Sequence, residues 1–199
     1  MTDIQTRKQA LRQRIIAARD GLATAENHRL SRCIKDGLCA LQAYRTAHTV
    51  LGYLNFGSEF CAELWVQQAL DDGKYVLLPR VNRASKLLDL YHVHDLQHDV
   101  APGVWGIREP IIERCTRFDA LGELDFILMP GVAFTTDGAR LGYGGGFYDK
   151  LLTRLQHQPT LAAGAFALQV VDEIPQENTD RKLEWLVSEC EALHCVARL

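Results

Sequence analysis

The apolar positions change their period along the chain. Over residues 3–20, Ile4, Leu11 and Ile15 fall near one helical face, and Arg and Lys occupy much of the remainder. Gly21 is a stop signal for that helix. Thr24 can cap a second helix running to about Tyr44, with Leu30, Ile34, Leu38 and Leu41 as its apolar stripe. From Thr49 the apolar runs become nearly continuous, as in buried strands: Thr49–Leu54, Lys74–Leu78 closed by Pro79, Leu87–Val93, Asp125–Met129 closed by Pro130 and Gly131, Thr160–Phe166, and a short Trp185–Ser188. Glu63–Leu70 reads as a helix ended by Asp71, Asp72 and Gly73, and Phe147–Leu155 as another.

Strands alternating with helices predict an α/β fold of three layers, a mostly parallel sheet with helices on both faces. Neither a repeat nor a low-complexity linker divides residues 1–199, so one domain is expected. Sites in such sheets lie beyond the carboxyl ends of the strands. Two segments leave strands into polar, glycine-bearing loops there: Asn55–Glu59 and Pro130–Gly146.

Charge and composition narrow the classes. The formal net charge is -3 and the pI about 6.2, so no basic excess draws the chain to nucleic acid or an anionic membrane. No apolar run approaches the roughly 18 residues that span a bilayer, and Met1–Arg19 lacks the apolar core of a signal peptide. A cytoplasmic monomer is the default expectation. Cysteines at 33, 39, 61, 115, 190 and 195 form no CxxC pair, which suits free buried thiols better than disulfides or zinc. His92, His94 and His98 lack a third ligand at matching spacing and read as exposed polar residues near a strand end.

The segment from Pro130 to Asp149 carries the clearest chemistry. Gly142, Gly144, Gly145 and Gly146 expose backbone N–H groups at a helix start, which suits a phosphate chain. Arg140 adds a fixed cation. Asp149, one turn into the helix, can hold Mg²⁺ against phosphates. The loop is neither a Walker A motif nor a clean dinucleotide fingerprint. Alone it reads as a turn as readily as a phosphate cradle; Arg140, Tyr148 and Asp149 favour the cradle. Lys8 and Arg12, four apart on one helical face, read first as a solvated basic face. Glu59 reads equally as a helix N-terminal charge, Asp180 as a turn residue, and Trp105 as core.

The run Arg140-Leu-Gly-Tyr-Gly-Gly-Gly-Phe-Tyr-Asp149 closely resembles the signature of the 5-formyltetrahydrofolate cyclo-ligase family, also called methenyltetrahydrofolate synthetases. Further pieces match in order: Lys8–Arg12, Tyr53–Glu59, Leu78–Arg80, Trp105–Pro110, then Ala165, Phe166, Gln169, Pro175 and Asp180. Thr135, Glu184 and Ser188 depart from the residues more usual there. Tyr143 and Gly145 follow the bacterial form of the loop.

The resemblance implies ATP- and Mg²⁺-dependent cyclisation of 5-formyltetrahydrofolate to 5,10-methenyltetrahydrofolate, with ADP and phosphate released through a phosphorylated formyl intermediate. It implies that Arg140 and Tyr148 are catalytic. It places Lys8, Arg12, Arg140, Leu141, Gly142, Gly144, Gly145, Gly146 and Tyr148 at ATP. It places Arg12, Leu54, Glu59, Trp105, Tyr143 and Phe147 at the folate, and Asp149 and Asp180 at the metal. The sheet pattern also resembles the sugar-phosphate isomerase and CoA-transferase type of fold. A phosphate-binding isomerase is therefore an alternative, although no acid or base for proton transfer stands out in the sequence. A non-catalytic folate- or nucleotide-binding module is the third reading.

Overall fold

The computed structural model describes residues 3–103, 106–175 and 181–195. Its centre is a sheet whose middle strands run parallel. β1 (Thr49–Leu51) lies between β2 (Tyr75–Asn82) and β7 (Phe126–Leu128), and β10 (Thr160–Gly164) and β11 (Trp185–Val187) continue outward from β7. Val50 stands opposite Val76 on one side and Phe126 on the other. Both edges turn antiparallel. β3 (Leu87–His92) folds back on β2, β6 (Thr116–Phe118) pairs with β3, and β12 (Ala192–His194) pairs with β11. Two small ribbons stand apart: β4 (Val100–Pro102) with β5 (Arg108–Pro110), and β8 (Ala133–Phe134) with β9 (Arg140–Leu141).

The nearly continuous apolar strands are buried on both faces, and their side chains alternate between two cores. Val50, Val76, Leu78, Phe126, Leu128 and Ala162 meet α2 (Thr24–Ala40) and α4 (Ala62–Asp71) through Ile34, Leu38, Trp65 and Val66. Leu51, Leu77, Ile127, Leu161 and Ala163 meet α5 (Phe147–Thr153) through Leu151 and Leu152. Each Val, Leu, Ile or Phe among them contributes about 1.5–3 kcal/mol on full burial. A third cluster joins α1 (Asp3–Asp20) to the β8–β9 ribbon through Ile15, Ala133 and Leu141.

The expected three-layer α/β arrangement is present, with local differences. The second helix does not reach Tyr44: Leu41 is non-helical (ψ 131°), and α3 (Gln42–Thr46) follows it. That break turns Tyr44 into the core, where its hydroxyl donates to Asp72 Oδ2 (2.6 Å). Thr24 begins α2 rather than capping it; Ala23 is the cap residue and supplies no side-chain bond. Pro79 does not close its strand. β2 continues to Asn82 against β3, because beyond Leu77 it has no ladder partner on the β1 side among the described residues. Val81 N–H turns that way to Glu109 Oε1 (3.3 Å), so the donor that Pro79 lacks, two residues earlier on the same side, serves no ladder there. Thr135, a departure from the family pattern, closes the β8–β9 turn by accepting from Ala139 N–H (3.0 Å). Ser188 does the same between β11 and β12, accepting from Cys190 and Glu191 N–H (3.2 Å each).

All six cysteines are free, but only Cys115 and Cys195 are buried; Cys39 and Cys61 are half-buried, and Cys33 and Cys190 are exposed, unlike the buried thiols expected. Burial pushes the Cys39 thiol up to about 11, so it behaves as a small apolar side chain. His92 stacks on Tyr75 (3.6 Å between centroids), whereas His98 faces Asp95 (2.7 Å). Among the described residues no helix is long and apolar enough to cross a membrane.

Candidate active site

The strand order reverses at β1. The chain goes from β1 to β2 on one side and later returns to place β7 on the other. Loops leaving two parallel strands in opposite directions must part, and a crevice opens at their carboxyl ends. A cavity of about 640 Å³ lies there. It takes its walls from the β1 exit (Tyr53–Glu59), the glycine loop and the start of α5, with Lys8 and Arg12 of α1 alongside.

The glycine loop has its shape for local reasons. Gly144 (φ 102°) and Gly146 (φ 65°) lie in the left-handed region, which side chains with a Cβ avoid. Gly146 is the N-cap of α5 and supplies no side-chain bond, which leaves the first amides of the helix without an intrahelical partner. Arg12 Nε donates to Gly142 O (2.7 Å) and ties the loop to α1. Gln169 holds the segment that follows β7, donating to the Gly131 and Val132 carbonyls.

Arg140 is the fixed cation expected. Its side chain is only 8% exposed, donates to Pro130 O (3.1 Å) and pairs with Asp149 Oδ1 (2.6 Å). Its Nε is buried and has no hydrogen-bond partner among the described residues. Tyr148 OH is likewise buried in the pocket and without a partner among them. Burial pushes the Tyr148 phenol above its ordinary value, so it stays a proton donor.

Glu59 is 5% exposed, deep for a carboxylate. Tyr143 OH donates to its Oε1 (2.6 Å) and Phe56 N–H to its Oε2 (2.7 Å). Burial raises its carboxyl above the usual range, and these donors act against that rise. Leu54 and Phe147 give the same cavity apolar wall.

Lys8, Arg12, Arg140, Gly142, Gly144, Gly145, Gly146, Tyr148 and Asp149 are thus brought together with Leu54, Glu59, Tyr143 and Phe147. Leu141 reaches the cavity too, but its side chain belongs to the third core cluster, so it can offer only backbone. Trp105 and Asp180 lie outside the described residues.

The structure adds residues that the sequence reading missed. Glu109 is a second buried carboxylate in the wall, and Phe56 stands 45% exposed at the mouth. Arg19 is buried beneath the Tyr143–Glu59 contact. The signal for Arg19 was its spacing: Arg12 and Arg19 are seven apart, two helical turns on one face. Glu109 sits in the segment Trp105–Pro110 and carried no local signal of its own.

Comparison with known proteins decides between the readings. The family model for 5-formyltetrahydrofolate cyclo-ligases matches residues 4–189. The chain belongs to the 5-formyltetrahydrofolate cyclo-ligase family. The Escherichia coli K12 5-formyltetrahydrofolate cyclo-ligase is 34% identical over 71% of this chain and 78% of its own length. The Haemophilus influenzae cyclo-ligase is 30% identical, covering 87% and 93%. An NMR structure of Aquifex aeolicus 5,10-methenyltetrahydrofolate synthetase superposes with a TM-score of 0.83 at 29% identity, over 96% of this chain and 94% of that one. Membership of the cyclo-ligase family makes the chain an enzyme, a ligase of folate one-carbon metabolism. It also displaces the isomerase and non-catalytic alternatives.

Proposed function

We propose that the cavity binds 5-formyltetrahydrofolate beside ATP and closes the folate ring to 5,10-methenyltetrahydrofolate, releasing ADP and phosphate. The observation that carries this reading is the meeting of the glycine loop and Arg140 with buried Glu59 in one cavity. One half suits phosphates; the other suits a flat heterocycle with N–H donors.

In this reading the triphosphate lies along Gly142–Gly146, whose amides and the cations Lys8, Arg12 and Arg140 neutralise it. Glu59 accepts two N–H bonds from the pterin, and Leu54, Tyr143 and Phe147 cover its faces. Trp105 would extend that surface. The formyl oxygen on N5 attacks the γ-phosphorus, and the bond to ADP breaks. N10 then attacks the formyl carbon, phosphate leaves with the former formyl oxygen, and the N10 proton is lost. Such a reaction rests on positioning and charge neutralisation. Arg140 and Tyr148 are the donors placed to stabilise charge on the transferring phosphoryl group.

Mg²⁺ fits the donor set. This ion is commonly held by one or two carboxylates together with substrate phosphates. The Asp149 carboxylate is 60% exposed at the cavity, and Arg140 takes only its Oδ1. Asp180 would be the second carboxylate. When bound, the ion would supply positive charge against the phosphate oxygens. One domain would carry this whole site.

Incubation with Mg-ATP and 5-formyltetrahydrofolate should yield methenyl product, followed by its near-ultraviolet absorbance, in equal molar amount to ADP and phosphate. Product formed without nucleotide would overturn the reading, as would AMP and pyrophosphate.

Asp149→Asn should lower turnover at limiting Mg²⁺ by roughly 10²-fold, about 2.7 kcal/mol in transition-state stabilisation. The exposed position predicts an unchanged fold by circular dichroism. A variant with wild-type kcat at limiting Mg²⁺ would reduce Asp149 to the partner of Arg140.

A further inference from the structure

Arg19 is 2% exposed, at the last turn of α1. A buried guanidinium is costly unless its charge is met. Among the described residues it has no ion pair. Its Nε donates to Ser58 Oγ (3.0 Å), its Nη2 donates to Tyr143 OH (2.9 Å), and its Nη1 is buried with no partner among the described residues. Two relays answer the charge: Ser58 Oγ donates onward to exposed Asp20 Oδ1, and Tyr143 OH donates onward to Glu59 Oε1. A buried cation and a buried anion are thus joined by one tyrosine.

The direction of that chain is forced. Arginine can only donate. The Tyr143 oxygen must therefore accept from Arg19, and its single proton is left for Glu59. On the other side Phe56 N–H can likewise only donate to Oε2. Both oxygens of Glu59 consequently face donors, which favours the ionised carboxylate. The same helix holds the preceding loop residue, since Arg12 Nε donates to Gly142 O. Two arginines seven residues apart thereby set the position of Tyr143 from below.

We propose that Arg19 is a positioning residue for folate recognition: through Tyr143 it fixes Glu59 as an acceptor-only group for the N–H donors of the pterin. The inference rests on the reading of Glu59 as the pterin-binding carboxylate. A 2-amino-4-oxo pteridine offers two adjacent N–H donors, and a protonated Glu59 would present one of them with a donor instead of an acceptor. The groups that face Glu59 are Arg19 from α1, Tyr143 from the glycine loop, Tyr53 from the β1 exit and Tyr148 from α5. Arg19 is the one permanent charge among them. Burial already pushes the Glu59 carboxyl up, and the Tyr143 hydroxyl, the Phe56 N–H and then Arg19 pull it down. Without Arg19 the carboxyl takes up a proton at a higher pH, so folate binding should weaken as pH falls, from a higher pH than in the wild type.

The test is the KM for 5-formyltetrahydrofolate and for ATP between about pH 6 and about pH 9 in Arg19→Gln, Arg19→Lys, Tyr143→Phe and Glu59→Gln. Arg19→Gln should raise the folate KM about tenfold or more at the acid end, the size of one lost charge-assisted bond, and much less at the alkaline end. Its ATP KM should stay within about twofold, and Arg19→Lys should restore much of the acid loss. If Arg19→Gln does not fold, Tyr143→Phe should give the same acid-weighted rise, since the ring stays and only the bridging hydroxyl goes. Glu59→Gln should raise the folate KM at every pH with no acid weighting. A rise equal at all pH values in both Arg19→Gln and Tyr143→Phe, with Glu59→Gln defective as expected, would overturn this inference alone. Equal damage to both substrates would make Arg19 a structural brace and overturn it too. A wild-type folate KM in Glu59→Gln would instead remove the pterin assignment beneath it.

Discussion

Replacing Arg140 by Ala should lower kcat/KM for ATP by roughly 10²–10³-fold, the largest catalytic loss expected of any single side chain in this cavity. The reason lies in how the guanidinium is held. It is nearly buried, so its charge is screened less than those of Lys8 and Arg12 on the rim. Pro130 O and Asp149 Oδ1 fix its plane, and its buried Nε is without a partner among the described residues. A cation fixed before the substrate arrives stabilises developing phosphoryl charge without reorganising. The loss should therefore appear in kcat as well as in the KM for ATP, with the folate KM within a few-fold of wild type. Arg140→Lys should recover only part of it, because an ammonium keeps the charge and loses the planar fork that can meet two phosphate oxygens. Initial rates with the other substrate saturating separate these terms. An Arg140→Ala enzyme with ordinary kcat and ATP KM would show that the guanidinium only braces Pro130 and Asp149.

The parts of this site that were legible in the sequence share one property: their chemistry is local. Arg140 to Asp149 is a contiguous run in which glycine spacing, a cation and a carboxylate speak together. The central strands were legible because burial on both faces leaves an unbroken apolar run, as at Phe126–Leu128. The edges were harder. β8 and β9 have two residues each, and β4, β5, β6 and β12 have three. No period can be read over so few positions. The chain direction in β3 was also hidden, since the run Leu87–His92 looks the same in a parallel or antiparallel neighbour.

Pairwise contacts between distant segments were invisible for a different reason. Glu59 and Tyr143 are 84 residues apart, and Arg19 and Tyr143 are 124 apart. Each looks ordinary in its own neighbourhood: Arg19 is one of several basic residues on a polar helix. Only the reversal of strand order at β1 brings the three together. The helix break at Leu41 belongs to the same class. The apolar stripe runs on to Tyr44, and nothing local outweighs it. The turn forms because Tyr44 gains burial against Trp65 and Phe126 together with a bond to Asp72, a tertiary reward that helix propensity does not contain.

Trp65→Ala should destabilise the fold by about 3–5 kcal/mol, more than any substitution in the cavity wall. The indole is fully buried on α4, with ring centroids 5.5 Å from Tyr44 and 5.8 Å from Phe126. It thus joins α3, α4 and β7, and no neighbour can collapse into the space without giving up a ring contact of its own. One term works the other way. Nε1 is buried without a hydrogen-bond partner among the described residues, so alanine also removes a costly unmet donor, worth about 1–3 kcal/mol. The balance favours the lower half of the range. At roughly 2–4 °C per kcal/mol for a chain of this size, the midpoint of thermal unfolding should fall by about 6–16 °C. Trp65→Phe, which keeps an apolar ring and removes the unmet N–H, should fall by much less. Neither change touches the cavity wall, so at a temperature where both variants are folded the KM values for folate and ATP should stay within about twofold of wild type. A Trp65→Ala protein with an unchanged midpoint would mean that α4 and β7 repack across the gap. A folded variant with a raised folate KM would mean that this core sets the course of the chain from β1 toward Glu59, because the Trp65 ring lies 3.2 Å from where a Cβ on Gly52, the first residue after β1, would stand.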